Sequence, residues 1–263
     1  MKIETLRLGA LATKVLGPKF RPNHNKIEID ITYKCNLRCL NCNRSCRLAP
    51  SDESMSLGQI QKFIKESVGQ KRMWEWINLC GGEPTLHKQL FEILKALLDY
   101  KNKVSKHTRI RFFTNGFGPE VNKILQKLPD GIELVNTMKK DRSGENVYSP
   151  HISFNLAPVD LVEYKYADYT NGCLITELCG IGLNMFGYYQ CAIAGAIDRV
   201  FGYDIGRKKM PARDDLMPEE MRRLCRFCGH FKPYRKVTEE KISPVWRAAY
   251  EKYRENKPSL SLY

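Results

Sequence analysis

Cys35, Cys39 and Cys42 fall within the run Tyr33-Lys34-Cys35-Asn36-Leu37-Arg38-Cys39-Leu40-Asn41-Cys42. This C-x3-C-x2-C spacing constrains the chain more than any other feature. Thiolates so close must share one loop, and that loop must wrap something. Three of them can take three corners of a cubic iron–sulfur cluster and leave the fourth iron without a protein ligand. Full ligation suits electron transfer, whereas an open iron can bind a substrate or cofactor. Zinc ribbons instead use two-plus-two pairs.

A second signal follows the apolar run Trp74 to Cys80: Gly81-Gly82-Glu83-Pro84. Alone it reads as a strand-to-helix turn, with Pro84 starting the next helix. Glycines there also let backbone approach a ligand closely, because they carry no Cβ. Around both signals the chain alternates strand and helix. Lys26 to Thr32 sets Ile27, Ile29 and Ile31 at period two and reads as a first strand, delivering the cysteine loop from its C-terminal end. Ser56 caps a helix over Leu57 to Val68. Trp74 to Cys80 is a second strand. Leu86 to Tyr100 is helical, with Leu90, Ile93, Leu94, Leu97 and Leu98 on one face. Thr108 to Thr114 is a third strand, closed by Thr114-Asn115-Gly116, and Pro119 to Leu128 a helix. Gly131 to Thr137 is a fourth strand and His151 to Leu156 a fifth. Such alternation predicts an α/β fold with a parallel sheet. The segment Met138 to Asn146 carries Lys139, Lys140 and Arg142, either an anion site or a plain solvated loop.

The cysteine triplet and the Gly-Gly-Glu-Pro turn, in that order, resemble the radical S-adenosylmethionine (SAM) enzymes. The resemblance implies a partial (β/α)6 TIM-like barrel over residues 1–160, with chemistry at the C-terminal strand ends. It implies a 4Fe-4S cluster on Cys35, Cys39 and Cys42, whose open iron takes the amino and carboxylate groups of SAM. Reductive cleavage would then give a 5′-deoxyadenosyl radical that abstracts hydrogen from a substrate. Gly81 and Gly82 would approach the methionine end of SAM, and Glu83 would accept from its ammonium. Asn115, closing the third strand, is a further cofactor contact. Asn136 occupies the fourth-strand position that often meets the SAM carboxylate or ribose; its other reading is a capping or turn asparagine. The family usually has an aromatic or bulky apolar residue just before the third cysteine. Asn41 stands there in this chain, which leaves backbone contacts to adenine rather than stacking.

After about residue 160 the chain becomes rich in Gly, Tyr and Cys. Ile181 to Gln190 reads as a hairpin turning near Phe186-Gly187 and carrying Cys191 out of its second strand. Cys225 and Cys228 form a C-x2-C pair after a short helix from Pro218. With Cys173 and Cys179 this set resembles the Twitch domain, the shortened form of the SPASM auxiliary-cluster domain that follows some radical SAM barrels. The resemblance implies a small C-terminal auxiliary-cluster domain over 161–235 holding a second 4Fe-4S cluster. Cys173, Cys191, Cys225 and Cys228 match the spacing best, and Cys179 is the rival for Cys173 or for one of the terminal pair. A tetrahedral zinc site is the alternative, since C-x2-C also suits zinc. Residues 236–263 form a helix and tail. There Trp246, Tyr250 and Tyr253 recur at helical spacing and pack on the barrel rather than stack on bases, with fraying beyond Glu255. Cys46 and Cys80 remain. Each is either a catalytic thiol that donates hydrogen to a substrate radical or a buried apolar cysteine.

Charge and composition narrow the partners. The formal net charge is +14. Two clusters with their thiolates would lower that to about +11, counting an oxidised four-iron cluster as about +2. The excess fits an anionic partner or a scattered basic surface. No run approaches the ~20 apolar residues of a membrane span. Met1 to Phe20 lacks a signal-peptide core, and its apolar residues suit a helix closing the barrel rather than one lying on a membrane. Ten cysteines without a signal indicate a reducing, cytoplasmic setting. The expected function is radical dehydrogenation or epimerisation of a small anionic substrate, a phosphorylated or nucleotide-linked sugar, with electrons from a flavodoxin- or ferredoxin-type reductant. A peptide maturase is the alternative enzyme. A non-catalytic iron–sulfur or zinc protein that binds nucleic acid is the alternative of another class, and it leaves Glu83 and the open iron unexplained.

Overall fold

In the computed structural model, residues 6–137, 154–232 and 241–263 are described. The elements run α1 (Ala10–Leu16), β1 (Lys26–Thr32), α2 (Leu57–Gly69), β2 (Trp76–Gly81), α3 (Leu90–Lys103), β3 (Arg109–Thr114), α4 (Pro119–Leu125), β4 (Ile132–Asn136), α5 (Leu174–Leu178), β5 (Ile181–Asn184), β6 (Gly187–Tyr189), α6 (Ala192–Phe201), α7 (Pro218–Leu224) and α8 (Pro244–Glu255), with short 3-10 turns between them. The six strands form one sheet in the order β4-β3-β2-β1-β5-β6. All neighbours are parallel except β5 and β6.

Period-two patterning decides the two faces of this sheet. Ile27, Ile29 and Ile31 of β1, Ile77 and Leu79 of β2, and Ile110 and Phe112 of β3 point one way. They form one core with Ile60 and Phe63 of α2 and Leu90, Ile93, Leu94 and Leu97 of α3. Each such side chain contributes roughly 1.5–3 kcal/mol when fully buried. The alternate residues, Glu28, Asp30, Asn78, Cys80, Arg111 and Phe113 among them, therefore lie on the opposite face. Ser56 caps α2 as the sequence suggests, and Gln59 completes a reciprocal capping box.

Three expectations change. The β5–β6 hairpin, expected within the C-terminal domain, pairs along β1 instead, Ile27 opposite Ile181. The hairpin thus extends the same six-stranded sheet. The fifth strand is not formed at 154–156, which make a turn, while 151–153 and the Lys139, Lys140 and Arg142 loop lie outside the described residues. The tail beyond Glu255 does not fray: the Tyr263 N–H donates to Met185 O at 2.9 Å. Its hydroxyl lies 3.0 Å from that of Tyr188 and donates to Glu66 at 2.8 Å. An aromatic with a polar tip docks well where both halves find partners.

A second core joins α6 to α8, where Trp246, Tyr250 and Tyr253 are buried with Phe154, Tyr189, Ile193 and Ile197. Arg199 of α6 ties this layer to the cysteine loop. Its guanidinium donates to Arg44 O at 3.0 Å and to Ala49 O at 2.9 Å, and it lies over the Tyr33 ring at 4.3 Å. Among the described residues no helix is long and apolar enough to cross a membrane.

Candidate active site

The cysteine loop and the glycine turn meet at the C-terminal ends of β1 and β2. There a cavity of about 270 Å³ is lined by Cys35, Cys39 and Cys42, by Cys46 and Cys80, by Gly81, Gly82, Thr114, Asn115 and Thr137, and deeper by Glu28, Arg44 and Phe113. All ten cysteines are free thiols. The triplet fits a cluster: three soft donors face one cavity, and none is spent in a disulfide. Local bonds already favour sulfur as a ligand. The Leu37 N–H donates to Cys35 Sγ at 3.5 Å. The Cys46 thiol, which donates to Arg44 O at 3.9 Å, stands beside Cys42, and the two thiols push each other's pKa apart: Cys42 down to about 6 and Cys46 well up. Burial pushes Cys35 up to about 12 as a free thiol, so binding iron there releases a proton.

The turn after β2 leaves no room for side chains. A Cβ on Gly82 would lie 2.3 Å from Lys34 O, and one on Gly81 2.1 Å from Thr32 O. Glycine lets the two backbones pair, with Gly82 N donating to Thr32 O and Glu83 N to Lys34 O, both at 2.8 Å. Glu83 differs from expectation. It is 0% exposed and does not line the cavity. Its Oε1 accepts from the Thr85 N–H at 3.1 Å and from the Thr85 and Thr114 hydroxyls at 2.8 and 2.9 Å. Its Oε2 accepts the Asn115 N–H at 2.8 Å. Glu83 is the knot that holds the ends of β2 and β3 together, and Gly82 and Asn115 present their surfaces to the cavity.

Of the remaining cofactor candidates, Asn115 lines the cavity and donates from its amide to Asn36 Oδ1 at 2.8 Å. Asn41 is buried off the lining with φ 52°, a left-handed turn that asparagine tolerates better than most residues. Asn136 packs against Gly116 and is not in the lining; Thr137 is. Cys46 and Cys80 both face the cavity.

Sequence reasoning missed the buried charges beneath. Arg44 Nε donates to both oxygens of Asp30 at 3.1 Å, and its Nη2 to Glu28 at 2.9 Å. Burial raises Asp30 to about 6 against the pull of Arg44. The signal was present: parallel strands buried on both faces read as apolar runs, yet β1 alternates Ile with Glu28 and Asp30.

The second cysteine set gathers around a small cavity lined by Cys173, Cys191, Cys225 and Cys228 with Gln190, Thr176 and Phe231. Cys173 and Cys191 each stand just before a helix, α5 and α6. Their sulfurs accept from first-turn N–H groups, Ile175 and Thr176 for one and Ala194 for the other. Gln190 donates to Cys225 Sγ at 3.5 Å. Such N–H contacts favour sulfur carrying negative charge, as a thiolate ligand does. Burial otherwise holds Cys173 up near 11 and Cys225 near 12. Cys179 is not in this lining. It meets Glu28, and burial with that carboxylate pushes its pKa up to about 12. Among the described residues no three His, Cys, Asp or Glu side chains are arranged to hold a single metal ion.

Residues 29–138 match the model of the family described as Radical SAM superfamily. A Campylobacter jejuni subsp. doylei protein named GTP 3',8-cyclase is 32% identical over 105 residues, 39% of this chain and 31% of that one. A Clostridium perfringens protein of the same name is 31% identical over 129 residues, 45% of this chain and 36% of that one. The chain thus spans about a third of the length of these relatives. The solved structure "BtrN in complex with AdoMet and 2-DOIA" covers 82% of this chain and 97% of that one at 11% identity, with a TM-score of 0.42, too loose a likeness to argue from. With the cysteine triplet and the glycine turn inside the matched span, the chain carries a radical SAM superfamily domain over residues 29–138.

Proposed function

We propose that this chain is a radical SAM enzyme acting on a small anionic substrate, with a second cluster on its C-terminal cysteines. One observation carries the reading: the triplet, the glycine turn and Asn115 line a single cavity at the strand C-termini. When bound, a 4Fe-4S cluster with an open iron supplies the electron that splits SAM into methionine and the 5′-deoxyadenosyl radical that abstracts hydrogen. The chain's own residues do the rest. Cys35, Cys39 and Cys42 hold three corners, and Cys46 keeps its proton while donating to Arg44 O. Gly82 and Asn115 present backbone and amide to SAM. Glu83 fixes both from behind rather than reaching the ammonium itself. Arg44, locked by Glu28 and Asp30, sets the cavity floor.

Cys173, Cys191, Cys225 and Cys228 would hold the auxiliary cluster, on the strength of four buried thiols at one cavity with N–H donors aimed at them. Cys46 and Cys80, both at the main cavity, are the candidate hydrogen donors if the reaction is epimerisation, and dehydrogenation would send the electron to the auxiliary cluster. The relatives' name adds a nucleotide to the phosphorylated or nucleotide-linked sugars as a substrate class. A reductant of flavodoxin or ferredoxin type and a cytoplasmic setting belong to the same reading.

The test is anaerobic incubation of reconstituted protein with SAM and dithionite, following 5′-deoxyadenosine. The wild type forms it, and the Cys35→Ala, Cys39→Ala, Cys42→Ala triple variant does not. Reductive cleavage surviving in the triple variant refutes the reading.

A further inference from the structure

On the cavity face of the sheet, three polar atoms are buried without a hydrogen-bond partner: Trp76 Nε1, Asn78 Oδ1 and Arg111 Nε. They lie on two adjacent strands in one patch, with Asn78 opposite Arg111 and Trp76 opposite Arg109. Asn78 is 3% exposed. Leaving a buried polar group unmatched is costly, so three together call for a ligand. They lie just beneath the cavity and outside its lining: Glu28, the register partner of Asn78, and Phe113, two residues on from Arg111, are the lining residues next to them.

Charge balance singles out Arg111. Lys26, on the same face, pairs with Glu75 at 3.7 Å. Arg109 takes both oxygens of Glu133 at 2.7 Å, which commits the carboxylate nearest Arg111 in the register. Arg44 holds Glu28 and Asp30. Arg111 has no carboxylate within ion-pair distance among the described residues. Its guanidinium instead lies over the Trp76 ring at 5.2 Å and the Phe113 ring at 5.1 Å. Two flat rings hold a planar cation in place and leave its edge free to donate. Glu28 is two strands away, about 10 Å at ordinary strand spacing, and is paired with Arg44.

We propose that Arg111, with Trp76 and Asn78 beside it, is the anchor for the phosphate group of the substrate. The guanidinium and the indole N–H supply donors to phosphate oxygens, and Asn78 Oδ1 accepts from a substrate hydroxyl beside them. From Arg111 to the strand end at Thr114 is three residues, a rise of about 10 Å. A phosphorylated sugar or a nucleoside monophosphate anchored at Arg111 spans that depth and presents a ring to the SAM end of the cavity. This deepens the proposed function and rests on it for the identity of the cavity.

The test is titration of the anaerobically reconstituted full chain with inorganic phosphate, read by calorimetry without turnover. Arg111→Met keeps the apolar stem between the rings and should weaken phosphate about ten- to a hundred-fold, the loss of one charge-assisted pair. Arg111→Lys keeps the charge, loses the fork, and should fall between the two. Iron content and circular dichroism equal to wild type certify each variant. Lys14→Met, an exposed charge elsewhere, should change nothing. No phosphate binding by the wild type overturns the proposal, as does equal binding by Arg111→Met or an equal loss in Lys14→Met. Acetate bound more tightly than phosphate overturns the phosphate assignment. The readouts separate the two claims: SAM cleavage with Arg111-independent phosphate binding sinks this anchor alone, and Arg111-dependent binding without SAM cleavage sinks the enzyme reading alone.

Discussion

Glu83 accepts the backbone N–H of Asn115 at 2.8 Å, and this bond locks the end of β2 to the end of β3. With the bonds from Thr85 and Thr114 it makes Glu83 a buried structural acceptor. Replacing Glu83 with alanine strands the Thr85 and Asn115 N–H groups, while the two hydroxyls can turn. The expected loss is about 3 kcal/mol, at roughly 1–3 kcal/mol per unsatisfied buried donor. Urea denaturation reads it as a lower midpoint at unchanged slope. SAM affinity should fall with the fold, because Gly82 and Asn115 lose their backing. An unchanged midpoint alongside weaker SAM binding would restore direct contact by Glu83 as the better account.

The sequence made the strands legible because their patterning is local. Ile27, Ile29 and Ile31 announce β1 with its correct ends, and Ser56 announces the start of α2. The site was legible where chemistry demands a spacing, as with Cys35, Cys39 and Cys42. It was not legible where function depends on which strand lies beside which. The hairpin's pairing with β1 joins residues about 150 apart in the chain, and no local pattern encodes that choice. The structural bonds of Glu83 were not legible for the same reason: its partners Thr114 and Asn115 arrive from the next strand. The docking of Tyr263 on Tyr188 and Glu66 is likewise long-range.

Cys179 and Cys173 should separate in an iron assay. Cys173 faces the small cavity with Cys191, Cys225 and Cys228, whereas Cys179 meets Glu28 beside the main cavity. Wild-type protein reconstituted anaerobically should hold about eight irons, four per cluster. Cys179→Ala should keep them all. Cys173→Ala should lose up to about four, leaving the SAM-binding cluster. The reverse pattern would exchange the two ligands, and about four irons plus one zinc in wild type would make the second site zinc.

Gly82→Ala tests the close approach at the cavity rim. The new Cβ would meet Lys34 O at 2.3 Å and the Lys34 carbonyl carbon at 2.8 Å. Both are backbone atoms next to Cys35, so relief must move the cysteine loop itself. The variant should lose about 3 kcal/mol or more, as strained backbone changes do, and should retain less iron after gel filtration than wild type. Gly69→Ala is the control, since a Cβ there meets nothing within 4 Å. Equal stability and iron in the two variants would mean the strands part freely at that point.

His87 gives the fold a pH dependence whose sign follows from its partners. Its Nε2 lies 2.8 Å from Met55 O, and its Nδ1 accepts the Gln89 N–H at 3.0 Å. Both bonds suit the neutral ring, with the proton on Nε2. A second proton on Nδ1 would confront the Gln89 N–H. Burial accordingly lowers the pKa below the ordinary 6.5, against smaller upward pulls from the Met55 carbonyl and Glu92. Below pH 6.5 the unfolded chain binds a proton that the native ring refuses. The stabilisation is therefore complete above 6.5 and is lost as pH falls from there toward the lowered value. Asp30, raised to about 6 by burial, acts oppositely, losing its contribution as pH rises from its ordinary 3.8 through about 6. The clean measurement is thus a difference: urea stability of wild type minus that of His87→Gln, from pH 7.5 to 5.5. That difference should shrink as pH falls below 6.5. A difference that stays constant would show that His87 does not titrate in the fold.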